Sequence, residues 1–367
     1  MAGSIFGDIL TVSTWGESHG AALGAVIDGC PAGLDISEEY IQSFLDRRRP
    51  GQSEFTTKRS EADAVSILSG VFEGKTLGTP ISMLVKNTSQ LSKDYSDLEN
   101  VYRPGHADYG FDVKFGIRDH RGGGRSSGRE TIGRVMAGAV AEKLLSELGV
   151  KVLAYVKKIG DIEIDYKNFD EAEIMKNNLY MPDAAAAAKA EEYLKTLIAE
   201  KNSSGAEIEC IVTGLKPGIG EPVFDKLDAR IAAGVMSIGA VKAVEIGDGT
   251  EVSSAIGSVN NDEFIIKDGK VAKATNHSGG ILGGMSDGSD IVVRAAFKPT
   301  PSIFRPQKTV NSSKEETEIE IKGRHDPIIA PRAVVVVESM IAFSIADLLL
   351  KGNLSRFSDV AKVYNDK

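Results

Sequence analysis

Residues 116–131 read GIRDHRGGGRSSGRET and run straight into an apolar stretch with helical spacing. No other segment restricts the architecture as much. Gly122, Gly123 and Gly124 have no Cβ, so the backbone there turns tightly and brings its N–H groups close to a ligand, while a helix that follows presents unpaired N–H groups and the positive end of its dipole. Ser127 and Glu130 have the spacing of a capping box, which predicts that the helix starts there. Arg118, Arg121, Arg125 and Arg129 crowd the same segment, which then reads as an anion cradle; pairing with surface carboxylates is the alternative for any single arginine. From 131 to 148, Ile132, Val135, Met136, Ala139, Val140, Leu144 and Leu148 follow a 3.6-residue period, and Gly133 and Gly138 permit close packing against a neighbour. A central helix is expected.

With 367 residues, 42% of them hydrophobic, the chain can bury a large core without staples. Its net charge of −9 argues against a general nucleic-acid surface and turns the arginine clusters toward small anions. Cys30 and Cys210 stand in no metal-type spacing, which points to a reducing cytoplasm and to buried, inert thiols. No basic region followed by an apolar core opens the sequence, so no signal peptide is expected. Residues 333–350 are the most apolar long segment, yet Glu338 and Asp347 lie inside it, which predicts a buried amphipathic helix and no membrane span.

Residues 35–49 place Ile41, Phe44 and Leu45 at helical spacing after Ser37 and close on Arg47, Arg48 and Arg49 before Pro50 and Gly51, a helix with its stop. Those arginines either complement the helix dipole or serve a ligand. Strand-like runs at 152–156 and 208–213 bracket an alanine-rich helix at 184–200. Strict βαβ alternation, a G-x-G-x-x-G run and a Walker loop are all missing from the sequence, so neither a Rossmann nor a P-loop fold is expected. No repeat or proline-rich linker divides the chain, which reads as one domain over 1–367. The glycine- and serine-rich segment 248–289 is expected to form long loops near a site, with Gly279, Gly280, Gly283 and Gly284 letting backbone approach something closely.

All five histidines stand beside glycine, arginine or acid in turn-like contexts: GESHG at His19, RPGHAD at His106, RDHRGGG at His120, NHSGG at His277 and GRHDP at His325. Alone, each is a structural hydrogen-bonder; beside arginine clusters they point to proton transfer at an anionic site, with His19 and His106 favoured. The histidines with Asp108, Asp119 and Asp326 form no H-x-H pair, no H-E-x-x-H and no compact carboxylate set, and an arginine-rich pocket repels a divalent ion, so no protein-held metal is expected. Residues 297–308, FKPTPSIFRPQK, carry Lys298, Thr300 and Ser302 between stiffening prolines, either a second phosphate clamp or an exposed proline loop. Arg324, His325 and Asp326 can hold an anion and move a proton, or form a salt-bridged turn, and Arg332 opens the last core helix.

GESHG at 16–20, RRRPG at 47–51, RPGHADYG at 103–110, RDHRGGGRSSGRET at 118–131, FKPTPS at 297–302 and GRHDP at 323–327 together resemble the chorismate synthase family, in the family's order and across nearly the whole chain. The resemblance implies an α+β fold, a β-α-β sandwich with central helices packed between antiparallel sheets. It implies conversion of 5-enolpyruvylshikimate 3-phosphate to chorismate by anti-1,4-elimination of phosphate and a ring proton, the last common step of the shikimate pathway toward aromatic amino acids, with reduced FMN required but not consumed. A homotetramer is also implied, with NADPH or an external flavin reductase as the source of electrons.

Carried over by motif, His19 would protonate the departing phosphate, His106 would sit near the flavin, and Asp326 would assist proton removal through the flavin N5. Ser18, Arg48, Arg103, Arg129 and Arg324 would join His19 in holding the substrate's phosphate and carboxylates. Flavin contacts would come from Arg48, Arg125, Ser126, Ser127, Gly239, Ala240, Gly283, Lys298, Pro299, Thr300, Pro301, Ser302 and Arg324. Two positions depart from the family. Glu54 stands where arginine or lysine is usual, so a basic contact is missing or moved to Lys58 or Arg59, which turns the reading toward an external reductase. Gly239 stands where asparagine is common, removing one side-chain hydrogen bond to FMN. The competing readings are another flavin- or metal-assisted phospho-lyase, and a phosphometabolite-binding regulator that needs the arginines but not His19, His106 and Asp326 together.

Overall fold

The computed structural model describes residues 3–53, 55–56, 61–88, 98–321 and 326–365. Alternation along the strands decides which way each sheet faces. In Ile291–Phe297 the residues Ile291, Val293, Ala295 and Phe297 are buried while Val292, Arg294 and Ala296 are only partly covered, the period-2 pattern of a sheet with one face against the core. This strand belongs to an antiparallel sheet of spatial order Val241–Ile246, Ile291–Phe297, Ala206–Thr213, Lys151–Ile159 and Ile162–Glu163. A second antiparallel sheet runs Ile5–Phe6, Thr11–Trp15, Ala22–Asp28, Ile81–Lys86 and Val65–Ile67, with Ile81, Met83 and Val85 buried.

Helices fill the space between. The central helix Thr131–Glu147 packs on the second sheet, chiefly against Ala22–Asp28; the long helix Ala330–Gly352 packs on the first, against Lys151–Ile159 and Ala206–Thr213; and the two helices lie on each other. The order sheet, helix, helix, sheet is the expected α+β arrangement of central helices between antiparallel sheets. A helix so placed has no wet face. From 330 to 349 every residue but Arg332 is buried, which is why this segment is apolar all round. A Cβ on Gly138 would stand 2.1 Å from the Ser339 Cβ, and one on Gly133 would stand 2.9 Å from Thr14 Cγ2, so both glycines do what their positions in the helical pattern predict.

The polar groups of the long helix are all spoken for. Ser339 and Ser344 donate to the carbonyls of Val335 and Met340 at 2.6 and 2.8 Å, the back-bonding that lets hydroxyls sit inside a helix. Glu338 takes both Arg47 Nη1 and Nη2, at 2.5 and 3.0 Å, and the Ala154 N–H at 3.1 Å. Asp347 accepts the N–H groups of Asp8, Ile9 and Leu10 and so pins the turn between the first two strands. The helix is long and apolar enough to cross a membrane, but its acids are anchors for other core segments; the polar face expected of an amphipathic helix is not there, because both sides are covered by sheet and helix.

The first helix, Glu38–Arg48, begins at Ser37, whose Oγ accepts the Tyr40 N–H at 3.2 Å. The alanine-rich helix runs Ala184–Ala199 with Asp183 as its cap. Cys30 and Cys210 are buried free thiols, and burial pushes Cys30 up to about 11. Segment 248–289 differs from expectation. It holds a 3-10 turn Gly249–Ser254, a short helix Gly257–Asn260 and two hairpins, Phe264–Lys267 with Lys270–Lys273 and Ile281–Leu282 with Met285–Ser286. Three of its four named glycines approach other parts of the chain: a Cβ on Gly279 would meet Gly247 N at 2.3 Å, one on Gly280 would meet Asp290 O at 2.6 Å and one on Gly284 would meet Lys226 Cγ at 2.5 Å, whereas Gly283 has open space. The close approach predicted for this segment is therefore internal packing.

Candidate active site

Segments far apart in the chain line a single cavity of about 920 Å³, near the upper end of what small-molecule sites occupy. Ser18, His19, Arg48, Arg103, His106, Arg125, Ser126, Ser127, Arg129, Gly239, Ala240, Lys298, Thr300, Pro301, Ser302 and Asp326 all border it. Ala333, Val336 and Met340 of the long helix, with Ile238 and Ile329, give it an apolar side. Gly283 sits in the turn between Ile281–Leu282 and Met285–Ser286, and neither it nor Pro299 is part of the lining. Arg324 lies outside the described residues, as do Gly323, His325, Glu54, Lys58 and Arg59.

His19 stands in the turn between Thr11–Trp15 and Ala22–Asp28, with its Nδ1 3.1 Å from Ser18 Oγ. Asn87 fixes that turn by donating Nδ2 to Glu17 O at 3.2 Å and Gly20 O at 2.7 Å, while its Oδ1 accepts from Arg129 Nε at 2.7 Å. Gly122 completes the seat: a Cβ there would lie 2.3 Å from His19 Nδ1 and 2.8 Å from Ser18 Oγ. Asp119 is held down at about 2, first by its hydrogen bond from Arg121 and, more weakly, by the charge of His19.

His106 is held from both sides. Its Nδ1 lies 3.0 Å from Pro104 O, an acceptor only, so Nδ1 carries a proton, and Nε2 stands 3.1 Å from Ser302 Oγ. Gly105 brings the two loops into contact, since a Cβ there would stand 2.7 Å from Pro301 Cβ, and its carbonyl takes Lys298 Nζ at 2.7 Å. Ala240 adopts φ +76° and accepts the Lys298 N–H at 3.0 Å, while Gly239 has open space where a side chain would project. Thr300 Oγ1 is buried without a hydrogen-bond partner among the described residues.

The arginines divide. Of the four in 116–131, Arg125 and Arg129 reach the cavity, whereas Arg118 pairs with Asp108 and Asp112, and Arg121 with Asp119. Of the three ending the first helix, Arg47 turns into the core toward Glu338, Arg48 faces the cavity and Arg49 is 3.6 Å from Asp46. Arg103 is locked by Asp108 through its backbone N–H, Nε and Nη2 at 3.0, 2.8 and 2.8 Å. Asp326 receives Arg332 Nη1 at 2.7 Å, and Arg332 Nε also donates to Arg48 O at 3.0 Å. Arg125 and Lys298 contact only neutral oxygens among the described residues, Arg125 through Gly16 O, Thr14 O and Thr14 Oγ1. These two cations keep their full charge for a ligand.

The capping box is only half realised. Ser127 Oγ accepts the Arg129 N–H at 3.3 Å and caps a 3-10 turn, Gly128–Glu130, from which the central helix continues. Glu130 reaches forward to Arg134 Nε at 2.9 and 3.0 Å instead of back to Ser127, because the i, i+4 guanidinium outcompetes a backbone N–H for a carboxylate. Glu61, Asp63, Asn87, Arg134 and Arg332 are site residues that the motifs did not single out for a role here. Only Arg332 carried a signal, its position at the start of the last core helix.

Arg48 is the most buried cation of the site. Burial, then the neighbouring Arg332, push it down to about 9 against the opposing pull of Asp63, with Arg129 adding to the fall. Arginine stays charged at neutral pH, so the direction means that one more negative charge is favoured beside it. The arrangement can therefore hold a polyanion with two imidazoles and a carboxylate at its edge.

A crystal structure of chorismate synthase shares the fold with a TM-score of 0.76 and 32% identity, over 98% of this chain and 97% of that one. The chorismate synthase family model matches residues 10–350. The chain belongs to the chorismate synthase family. Chorismate synthases from Agathobacter rectalis and Methanosarcina mazei are 61% and 53% identical to it, over 99% and 96% of this chain and 99% and 97% of theirs. As a chorismate synthase-family enzyme it is a carbon–oxygen lyase.

Proposed function

We propose that this cavity converts 5-enolpyruvylshikimate 3-phosphate to chorismate by anti-1,4-elimination, using reduced FMN without net redox change. The observation that carries the reading is the convergence of His19, His106, Asp326 and the cavity arginines on one 920 Å³ space. In the reaction a ring proton departs, the C–H pair forms a new double bond to one end of the existing ring double bond, that double bond's pair shifts to the carbon bearing phosphate, and phosphate leaves with the C–O pair, so atoms and electrons balance within the substrate.

The cavity fits a flavin phosphate ester beside a second anion. Among the described residues Thr300 Oγ1 is a buried hydroxyl lacking a partner and Arg125 and Lys298 are cations with neutral neighbours, and Gly239 leaves room. Arg125, Ser126, Ser127, Ala240, Lys298, Thr300 and Ser302 would hold FMN; when bound and reduced it would lend electron density to an allylic system whose phosphate otherwise leaves poorly. Arg48, Arg129 and Arg103 bind the phosphate and carboxylates of the substrate, with Ser18 beside them. With Nδ1 engaged by Ser18, His19 offers the leaving phosphate the proton on Nε2. His106, tied through Nδ1 to Pro104 O and through Nε2 to Ser302, holds its ring near the flavin, and the Asp326 carboxylate, oriented by Arg332, stands by for the ring proton. The apolar side built by the long helix keeps water out, which strengthens each of these interactions.

The same reading carries a homotetramer, residence in the cytoplasm, to which two buried reduced thiols are suited, and reduction of FMN by an external reductase or by NADPH. Chorismate should form from 5-enolpyruvylshikimate 3-phosphate under anaerobic conditions with reduced FMN, and His106→Ala should cut turnover about 100-fold or more. Tight substrate binding by the wild type without product would instead favour a phosphometabolite-binding regulator.

A further inference from the structure

Asp63 lies beneath the cavity and is not one of the groups assigned to substrate or flavin. Its side chain is fully buried, and it grips two cavity arginines at once: Oδ2 accepts from Arg48 Nη1 at 3.1 Å, and Oδ1 lies 3.0 Å from Arg129 Nη2. The second contact is an ion pair without hydrogen-bond alignment, since neither atom has an aligned partner. Glu61 adds a carboxylate oxygen 2.6 Å from the same Arg129 nitrogen.

The backbone around Asp63 is fixed to the helix that carries Arg48. Gln42 donates to Ala62 O at 3.3 Å and accepts the Val65 N–H at 3.0 Å, one residue before Asp63 and two after it. Asp63 itself takes φ +45°, a left-handed conformation that aspartate is among the few side-chain-bearing residues to tolerate. The carboxylate is thus a rigid spacer between the end of the first helix and the turn before the central helix.

We propose that Asp63 is a positioning residue that sets the spacing of Arg48 and Arg129 for the anionic groups of the substrate. Arg48 gives Nε to Thr131 Oγ1, Nη1 to Asp63 and Nη2 to Gly128 O. Those bonds use three of a guanidinium's five N–H groups and leave two for a ligand. Arg129 spends Nε on Asn87 and Nη2 on the carboxylates, which among the described residues keeps Nη1 for the ligand. Two guanidiniums against two carboxylates also cancel in charge, so the pair is held close before substrate arrives.

The inference rests on the elimination proposed above, so wild-type turnover is measured first; absence of chorismate would overturn that reading and this one together. With turnover established, Asp63→Asn keeps the shape and removes the charge, and KM for 5-enolpyruvylshikimate 3-phosphate should rise about ten-fold with a smaller change in kcat. Inorganic phosphate should weaken as a competitive inhibitor in parallel. Glu61→Gln should shift both in the same direction by less. Glu338→Gln breaks a buried carboxylate–arginine pair away from the cavity and should lower Tm while leaving KM unchanged. A wild-type KM in Asp63→Asn, or a KM shift no larger than that of Glu338→Gln, would overturn the proposal. If Asp63→Asn does not fold, Glu61→Gln decides: a raised KM supports the proposal and an unchanged KM overturns it.

Discussion

Gly122 shows how one missing atom places the imidazole proposed to protonate the departing phosphate. Its absent Cβ would overlap His19 Nδ1 at 2.3 Å, so alanine there must push the imidazole or the turn that carries it. A displacement of about 1 Å at such a group costs on the order of 100-fold in rate. Gly122→Ala should therefore lower kcat by at least about ten-fold while FMN, titrated by its fluorescence, binds as to the wild type; a kcat within about two-fold of wild type would contradict this seating of His19. The glycine triplet was readable as a close approach, but the sequence names no partner. Its expected service is to a ligand, and at Gly122 it serves a side chain brought from the amino-terminal sheet. The same limit applies to the arginines: Arg121 and Arg125 flank the same RGGGR run, and while Asp119 stands two residues from Arg121, only folding brings the neutral Thr14 and Gly16 oxygens to Arg125.

At the scale of elements, the long and central helices were legible because helical period and glycine positions are local properties. Their charged residues were legible only as exceptions to a membrane span. What each acid meets depends on packing. Glu142, on the central helix, has an Oε2 buried without a hydrogen-bond partner among the described residues, and burial followed by repulsion from Glu338 pushes it from 4.5 up to about 8, against the pull of Arg47. The folded chain then holds a proton that the unfolded chain releases between pH 4.5 and about 8, so this group makes stability fall as pH rises through that window. Glu142→Gln removes the titration. Its advantage in Tm over wild type should grow from about pH 5 to about pH 8, read by circular dichroism melts; a difference constant with pH would contradict the assignment. Segment 248–289 was misread for a related reason: glycine density signals close approach, and there the approaching groups are other parts of the chain, Gly247 and Asp290 for Gly279 and Gly280 and Lys226 for Gly284.

For the whole molecule, the sandwich order was accessible through resemblance, whereas composition and period alone gave helices and strands without their layers. The central claim is that turns separated by most of the chain act as one site, with His19 and His106 working on a single bound substrate. Asn87 and the Gly105–Pro301 contact are the physical ties that hold those turns together. Groups that act as a unit lose their effects non-additively. The most direct measurement is a double-mutant cycle on anaerobic chorismate formation with reduced FMN, comparing His19→Ala, His106→Ala and the double variant. Each single change should lower kcat about 100-fold or more, and the double variant should fall within about ten-fold of the slower single one. Multiplying losses, with each histidine contributing independently of the other, would contradict a shared site.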